Sequence, residues 1–318
     1  MAQLIRNKAF TPSRLNKRAT GTLIEYMGVT IQNIKDGFLE ADIKLKFDDD
    51  GNVKENYQIN GFIKNGKLNF LNQLNANNLN LNFNISKNEY LLTEMNTQIN
   101  DIQFSSPLIK INEKKNSFLV AGKILTDEKD FLRDQLDPTF AVLFKNANIK
   151  KVRFGSENDI FFNFGKNLKL NDLKIKSKIN LDQLVVKNNF INLKPYLPNL
   201  NELISFEKHK IIVNYDKNKI DIKGKGKILF KDNFDLINYK IVKKNNNFAF
   251  DTKINLKNNR LLINFLDYEK KENLDSSILI KGNVQNNTSI NFDLISLIEK
   301  NKKISFKNLN LNKEFKIT

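Results

Sequence analysis

The sequence predicts an all-β fold: a long, twisted antiparallel sheet, built as a meander of hairpins and curled into an apolar groove, with a few short helices. Two observations predict this class. Apolar and polar residues alternate with a period of two through much of the chain, which is typical of strands with one apolar and one solvated face. Asn-rich turns recur at short intervals, and parallel crossovers would require helices between the strands. The 318 residues are enough to bury a sizeable core.

The clearest alternation lies in three stretches, around residues 79–85, 220–230 and 248–256. Two glycines, Gly224 and Gly226, fall on the apolar phase and predict a close approach of backbone or a sharp coil of the sheet. A one-residue slip at Asn171–Asp172 predicts a β-bulge in another strand. The apolar positions of the three stretches are predicted to line the groove: Leu79, Leu81, Phe83, Ile85, Ile220, Ile222, Ile228, Phe230, Phe248, Phe250, Ile254 and Leu256.

The turns between strands are predicted mainly from asparagine, because the chain has only 12 glycines and asparagine tolerates left-handed backbone angles. The dipeptide Asn65-Gly66 is the favoured signal for a two-residue hairpin. The other predicted turns are Asp48–Asn52, Lys115-Asn116, Asp216–Asn218, Lys244–Asn247 and Lys257–Asn259.

Three short helices are predicted where apolar residues recur at helical spacing. The first is Thr126–Leu136, in which Thr126 is a potential N-cap and Glu128 and Asp130 add favourable charge near the helix start. The second is Pro195–Ser205, with a proline in its first turn, and the third is Asp293–Lys300.

We expect residues 1–30 to be a poorly structured start or a truncation scar, and residues 31–318 to form one elongated β-groove domain with weak internal repetition. The stretches 59–125 and 207–300 are similar in kind, although no strict period is visible. No run of about 18 apolar residues and no signal-peptide core is present in the sequence.

The charge of the chain has two interpretations. With 52 Lys+Arg against 35 Asp+Glu, the net charge is +17, which indicates an anionic partner such as nucleic acid or an acidic lipid surface. The alternative is an AT-rich genome, whose codons favour Phe, Ile, Asn and Lys together. We favour the second because lysines are spread singly through the predicted strands, as at Lys44, Lys46, Lys174, Lys176, Lys223, Lys225 and Lys227.

Residues suited to catalysis or metal binding are few, so we expect a protein that is not an enzyme and has no cofactor. The chain has no cysteine, and its single histidine, His209, is expected to be structural. The acidic run Asp48–Asp50 lacks the ligand spacing of a calcium loop and is expected to be a solvated hairpin tip. No nucleophile elbow, P-loop or dinucleotide fingerprint is present.

The predicted apolar face must be covered, because large exposed apolar patches are uncommon in soluble proteins. A curled sheet lined by Leu, Ile and Phe would suit acyl chains. The alternative is a β-sandwich or barrel that fills its own interior.

Four segments carry a resemblance to a known family: Ile59–Leu68, Leu193–Pro198, His209–Tyr215 and Ile222–Gly226. Over residues 35–318 the chain resembles the AsmA-like family, the YhdP and TamB type of bacterial envelope protein. The shared features are alternation, Asn-rich turns and strand–turn–strand units.

The resemblance implies groove-type transport of glycerophospholipids, or outer-membrane biogenesis, between the inner and outer membranes of Gram-negative bacteria. It implies a periplasmic location, with a tether to the inner membrane through a segment absent from this chain, and it supplies no catalytic residues. The expected partners are phospholipid acyl chains and the two membranes, with no nucleic acid and with protein partners unknown. The alternative function is a structural or interaction β-scaffold of the cell envelope, with a self-filled core and no lipid path.

Overall fold

The computed structural model of the chain describes its strands and most of the turns between them. The described residues are 5–6, 34–50, 56–70, 74–99, 101–132, 148–165, 170–187, 201–229, 231–263, 266–285 and 289–312. Two predictions lie wholly or almost wholly outside these ranges. They are the poorly structured start over residues 1–30, of which only Ile5–Arg6 is described, and the lining position Phe230.

The described residues form β-strands joined by short turns, and no α-helix is found among them. The strands are β1 (Ile5–Arg6), β2 (Ile34–Lys44), β3 (Gln58–Phe70), β4 (Leu74–Ser86), β5 (Glu89–Ile99), β6 (Ile102–Lys114), β7 (Ser117–Phe131), β8 (Ile149–Gly165), β9 (Leu170–Lys187), β10 (Leu203–Asp216), β11 (Lys219–Leu229), β12 (Phe234–Lys244), β13 (Asn247–Leu256), β14 (Leu261–Ile263), β15 (Tyr268–Lys270), β16 (Ser276–Gln285), β17 (Ser289–Glu299) and β18 (Lys302–Leu311).

The strands follow one another across the sheet in the order in which they occur in the chain. β13 pairs with β16, because β14 and β15 form a separate two-stranded hairpin. The strand pairs with a described register are all antiparallel, and the sheet is not closed. The all-β, antiparallel part of the fold prediction is therefore confirmed.

The chain divides into two compact units. Unit 1 comprises Met1–Asp127 and Glu157–Leu173, and unit 2 comprises Glu128–Ser156 and Lys174–Thr318.

Unit 1 has a packed core on one face of its strands. Cross-strand partners lie on the same face of an antiparallel sheet, so the row Ile59, Ile85 and Tyr90 forms a continuous apolar line across β3, β4 and β5. Phe118 of β7 extends the core and stacks on Phe164, with ring centroids 5.0 Å apart. The buried members of this core are Ile59, Leu79, Leu81, Phe83, Ile85, Tyr90 and Phe118.

Most of the predicted turns are confirmed, and asparagine has the expected role in them. Residues 115–116, 217–218 and 245–246 are two-residue turns between consecutive strands, and the chain bends at 257–259 after β13. Positive φ angles occur at Asn88, Asn218 and Asn245, each in a turn. The turn predicted at Asp48–Asn52 is described as far as Asp50, where residues 49–50 turn after β2.

The hairpin predicted at Asn65-Gly66 is wrong. Both residues lie inside β3, where Asn65 has a φ of 52° and the pairing with both neighbouring strands shifts register. The backbone N–H of Asn65 donates a hydrogen bond to Asn80 Oδ1 at 3.0 Å. The left-handed angle that the dipeptide favours is used here for a β-bulge, which inserts a residue and leaves the strand continuous.

The helix predicted at Asp293–Lys300 is wrong, because Asp293–Glu299 belongs to β17. Ile295 and Leu297 pair with Ile280 and Ile278 on one face of the sheet, while the intervening residues point to the other face. The helical spacing of apolar residues arises because this strand carries apolar residues on both faces.

The helix predicted at Thr126–Leu136 is also wrong where it is described, because Thr126–Phe131 is the end of β7. Glu128 and Asp130 are not helix-start charges. Both reach Arg153 of β8, at 3.1 and 3.5 Å, as alternating residues on one strand face do. Of the second predicted helix, Pro195–Ser205, Leu203–Ser205 belongs to β10, and residues 195–200 lie outside the described residues.

Candidate functional site: two faces of one sheet

One face of unit 2 is apolar over seven consecutive strands of the sheet. In one cross-strand row, Val213 pairs with Ile222, Ile222 with Ile241, and Ile241 with Phe250. Phe250 meets Phe292 edge to face, with ring centroids 5.8 Å apart. We call this surface the apolar face; it comprises the positions of β10–β13 and β16–β18 that lie on the same side of the sheet as Ile222.

The two glycines on the apolar face each lie beneath an aromatic ring of the neighbouring strand. A Cβ atom on Gly224 would lie 2.2 Å from Tyr239 Cζ, and one on Gly226 would lie 2.2 Å from His209 Cδ2. The groups that approach the two glycines are side-chain rings and not the backbone that was predicted. Because glycine has no side chain, each ring packs directly against the glycine backbone.

His209 is a structural residue, as predicted. It is 1% exposed, its Nε2 donates to Lys227 O at 2.9 Å, and its Nδ1 lies within hydrogen-bonding distance, 3.3 Å, of the Tyr239 hydroxyl. A carbonyl can only accept, so Nε2 carries a proton, and burial favours the neutral form of the ring. Burial lowers the pKa of His209 and raises the pKa of Tyr239 to about 12.

The predicted lining residues fall into two groups according to burial. Five lie on the apolar face of unit 2 and are partly buried: Ile220, Ile222, Phe248, Phe250 and Ile254. Six are buried: Leu79, Leu81, Phe83 and Ile85 within the unit 1 core, and Ile228 and Leu256 within smaller clusters of unit 2. The structure therefore brings the first group together on a surface with remaining accessible area, whereas the second group already packs against protein.

Lys243 stands on the apolar face, near the end of β12. Lys243 pairs with Ile220 and Phe248, and its Nζ lies 5.1 Å from the centre of the Phe248 ring. This geometry is typical of a cation–π contact. The ammonium group is therefore held at the margin of an apolar surface.

A buried polar cluster ties the β14–β15 hairpin to the main sheet. The Asp235 carboxylate accepts from the backbone N–H groups of Lys257 and Asn258 at 2.9 and 3.0 Å, and from Asn259 Nδ2 at 2.6 Å. Lys270, which is 0% exposed, donates from Nζ to Lys257 O and Asn259 O at 3.0 and 2.7 Å. Each partner is a backbone or structural group, so the cluster fixes a loop.

The described residues contain no group of three or more His, Cys, Asp or Glu side chains that could hold a metal ion. Nor does any helix among them have the length and apolarity needed to cross a membrane. Two depressions of about 470 and 570 Å³ border the exposed Leu236 and mix lysine with carboxylate side chains: Lys253 with Asp275 in the first and Lys227 with Glu272 in the second.

The opposite face of unit 2 carries a feature that the sequence analysis missed. Lysines that we described as spread singly are brought together because alternation and register place them on one side of four adjacent strands. We call this surface the lysine face; all its members are exposed, and they are Lys178, Lys210, Lys223, Lys225, Lys227 and Lys240. The signal was present in the K-G-K-G-K alternation of residues 223–227.

Comparisons of the chain with models of protein families, with curated proteins and with solved structures gave no match. The resemblance to the AsmA-like family therefore stays a prediction from the sequence.

Proposed function

We propose that the apolar face of unit 2 holds lipid acyl chains, and that the protein transports glycerophospholipids or supports outer-membrane biogenesis between the inner and outer membranes. The observation that carries the proposal is a continuous apolar surface whose side chains are only partly buried, on a sheet that is not closed. Covering apolar surface of this kind is favourable by about 25 cal/mol per Å² of apolar area removed from water.

Five residues would make the contacts with the chain: Ile220, Ile222, Phe248, Phe250 and Ile254. Two of them belong to β11 and three to β13, the strands on either side of β12, so their side chains form a field and not a single pocket. Apolar contact has no preferred direction, so an acyl chain could occupy equivalent positions along this field. We further propose that the sheet of unit 2 curls around the chain as a groove.

Lys243 supports a phospholipid in preference to an uncharged hydrocarbon. It lies on the apolar face at the ends of the strands, beside Phe248. An ammonium group at this margin could pair with a headgroup phosphate while the acyl chain lies against Phe248 and Phe250. The AsmA-like resemblance supports the same ligand class and a periplasmic location.

The second candidate function, a structural β-scaffold, is favoured by unit 1. There the predicted lining residues are buried in a protein core, with Leu79 5% and Ile85 4% exposed. A self-filled face of this kind needs no ligand. The two candidates therefore make different predictions for the two units.

The test is photo-crosslinking in a Gram-negative bacterium, with a benzophenone amino acid placed at one position of the full chain at a time. Phe250 reports on the apolar face, and its neighbour Ala249, which points to the opposite face, is the matched control. In unit 1, Phe83 and the outward-facing Asn82 form the corresponding pair. Adducts are extracted and identified by mass spectrometry.

We expect phospholipid adducts at Phe250 that are at least about tenfold more abundant than at Ala249, because only the first position faces the acyl chain. Few adducts are expected at Phe83, which is already buried. Absence of lipid from both Phe250 and Phe83, in a chain that folds as the wild type does, would favour the scaffold and reject lipid carriage.

A further inference from the structure

The lysine face has an unusual density of positive charge. In the central part of β9–β12 three cross-strand rows of four positions can be read from the register, and six of these twelve positions are lysine. Lys210 is directly opposite Lys225, and Lys223 is directly opposite Lys240. Like charges in directly opposed positions destabilise a sheet, so the arrangement works against folding and requires another explanation.

Within the part of the chain that the structure describes, the six lysines of this face form no ion pairs, because none has a carboxylate within ion-pair distance. Lysines at the margin do have such partners: Lys219 lies 2.9 Å from Asp221, and Lys281 lies 2.9 Å from Asp251. The only carboxylate in the three rows is Glu207, opposite Lys227, and it accepts from Gln183 at 3.5 Å.

The side chains between the lysines indicate which anion fits. They include two exposed aliphatic residues, Ile212 and Leu236, which are 44% and 52% exposed. The three rows contain no aromatic residue and no arginine. Sequence-tolerant nucleic-acid binding uses aromatic stacking and arginine in addition to lysine. Lysine mixed with exposed aliphatic side chains is instead suited to an anionic bilayer, where lysine meets headgroups and aliphatic groups enter the interface.

We propose that the lysine face docks the protein onto the surface of an anionic lipid bilayer. This inference is separate from the proposed carriage of acyl chains, because it concerns the opposite face of the strands. Docking would hold unit 2 against a membrane through headgroup charge, with Ile212 and Leu236 in contact with the interface.

The experiment is vesicle co-sedimentation of the purified full chain, with pure phosphatidylcholine vesicles and with vesicles containing about 30 mol % phosphatidylglycerol. The test variant is K223E/K225E/K240E. The matched control is K44E/K46E/K114E, which makes the same change in net charge at exposed lysines of unit 1. Circular dichroism and thermal unfolding establish that each variant folds. A charge-neutral variant, K223Q/K225Q/K240Q, is measured in parallel.

We expect the wild type to bind the anionic vesicles and not the neutral ones, with binding that weakens as salt is raised from about 50 to 300 mM. The test variant should lose at least about tenfold in affinity and the control should lose much less, because each lysine near the surface contributes separately. The glutamine variant should lie between the test variant and the wild type.

Two results would overturn the proposal. One is equal loss of vesicle binding in the test and control variants, which would indicate a response to net charge alone. The other is wild-type binding to a single-stranded oligonucleotide but not to anionic vesicles, with loss of that binding in the test variant. That result would assign the lysine face to nucleic acid.

Discussion

The burial of the His209 ring depends on Gly226, its neighbour on the adjacent strand. The imidazole is buried because Gly226 leaves the space above its backbone empty, and the ring satisfies both nitrogens with Lys227 O and the Tyr239 hydroxyl. The sequence made His209 a poor candidate for catalysis because no other histidine or cysteine accompanies it. It could not reveal the partners, since they depend on the register of β10 against β11.

Neutral His209 makes the stability of the protein depend on pH. Burial lowers the pKa of the folded ring below the ordinary histidine value of 6.5. The unfolded chain therefore binds a proton as the pH falls through about 6.5, before the folded chain can. The stabilising contribution is complete above that pH and is lost below it, by at most about 1.4 kcal/mol per pH unit.

This dependence can be measured by urea unfolding at about pH 7.5 and pH 5.5, on either side of the unfolded pKa. Wild type is expected to lose more unfolding free energy on acidification than His209→Gln, because glutamine can replace the donor and acceptor but does not titrate. Equal losses in the two proteins would show that His209 does not control this part of the pH profile.

At the scale of elements, the β14–β15 hairpin is an excursion that the main sheet bypasses. It is attached by Lys270, whose ammonium group is fully buried and bonded to two backbone carbonyls. Burial lowers the pKa of Lys270, and the nearby Asp235 acts in the opposite direction. The attachment depends on charge-assisted hydrogen bonds, which are stronger than neutral ones.

Lys270→Met is expected to lower the free energy of unfolding by about 1–3 kcal/mol, because it leaves the carbonyls of Lys257 and Asn259 without a donor. Lys271→Met, at the adjacent exposed position, is the control and should have little effect. Thermal unfolding measures both. Hydrogen exchange should show that amides of residues 257–270 lose protection first, and unchanged protection there would contradict the role of Lys270.

Several strands could be predicted from the sequence because alternation is a local property. Phe248, Phe250 and Ile254 share a face as soon as their segment is extended, whatever surrounds it. Asn65-Gly66 was misassigned because the same left-handed backbone angle serves a hairpin or a bulge, and pairing with β2 and β4 decides between them. Ile295 and Leu297 were misassigned because a strand that is apolar on both faces imitates helical spacing.

At the scale of the whole molecule, the strand order follows the chain order, with one hairpin excluded. Each strand therefore takes its hydrogen bonds from its immediate neighbours. The pairing between neighbouring strands decides which residues lie side by side on the lysine face and on the apolar face. Neither face could be derived from one segment alone, and the net charge of +17 did not reveal where the lysines gather.

A core substitution should therefore have effects that decrease with the number of intervening strands. Ile59→Ala in β3 is expected to cost about 2–5 kcal/mol, because a buried side chain that is 4% exposed leaves a cavity. Hydrogen exchange should increase most in β2–β5 and least in β16–β18. A uniform increase over all strands would indicate a single cooperative transition and contradict this expectation.

The strand order also bears on how such a chain could evolve. A sheet in which every strand depends on its neighbours has no position that fixes the total number of strands. Duplication or deletion of one hairpin would preserve every other pairing, as in repeat proteins that contact only adjacent repeats. The length of the sheet is therefore a property that selection can adjust in steps of two strands, with the chemistry of each face carried along in the alternating sequence.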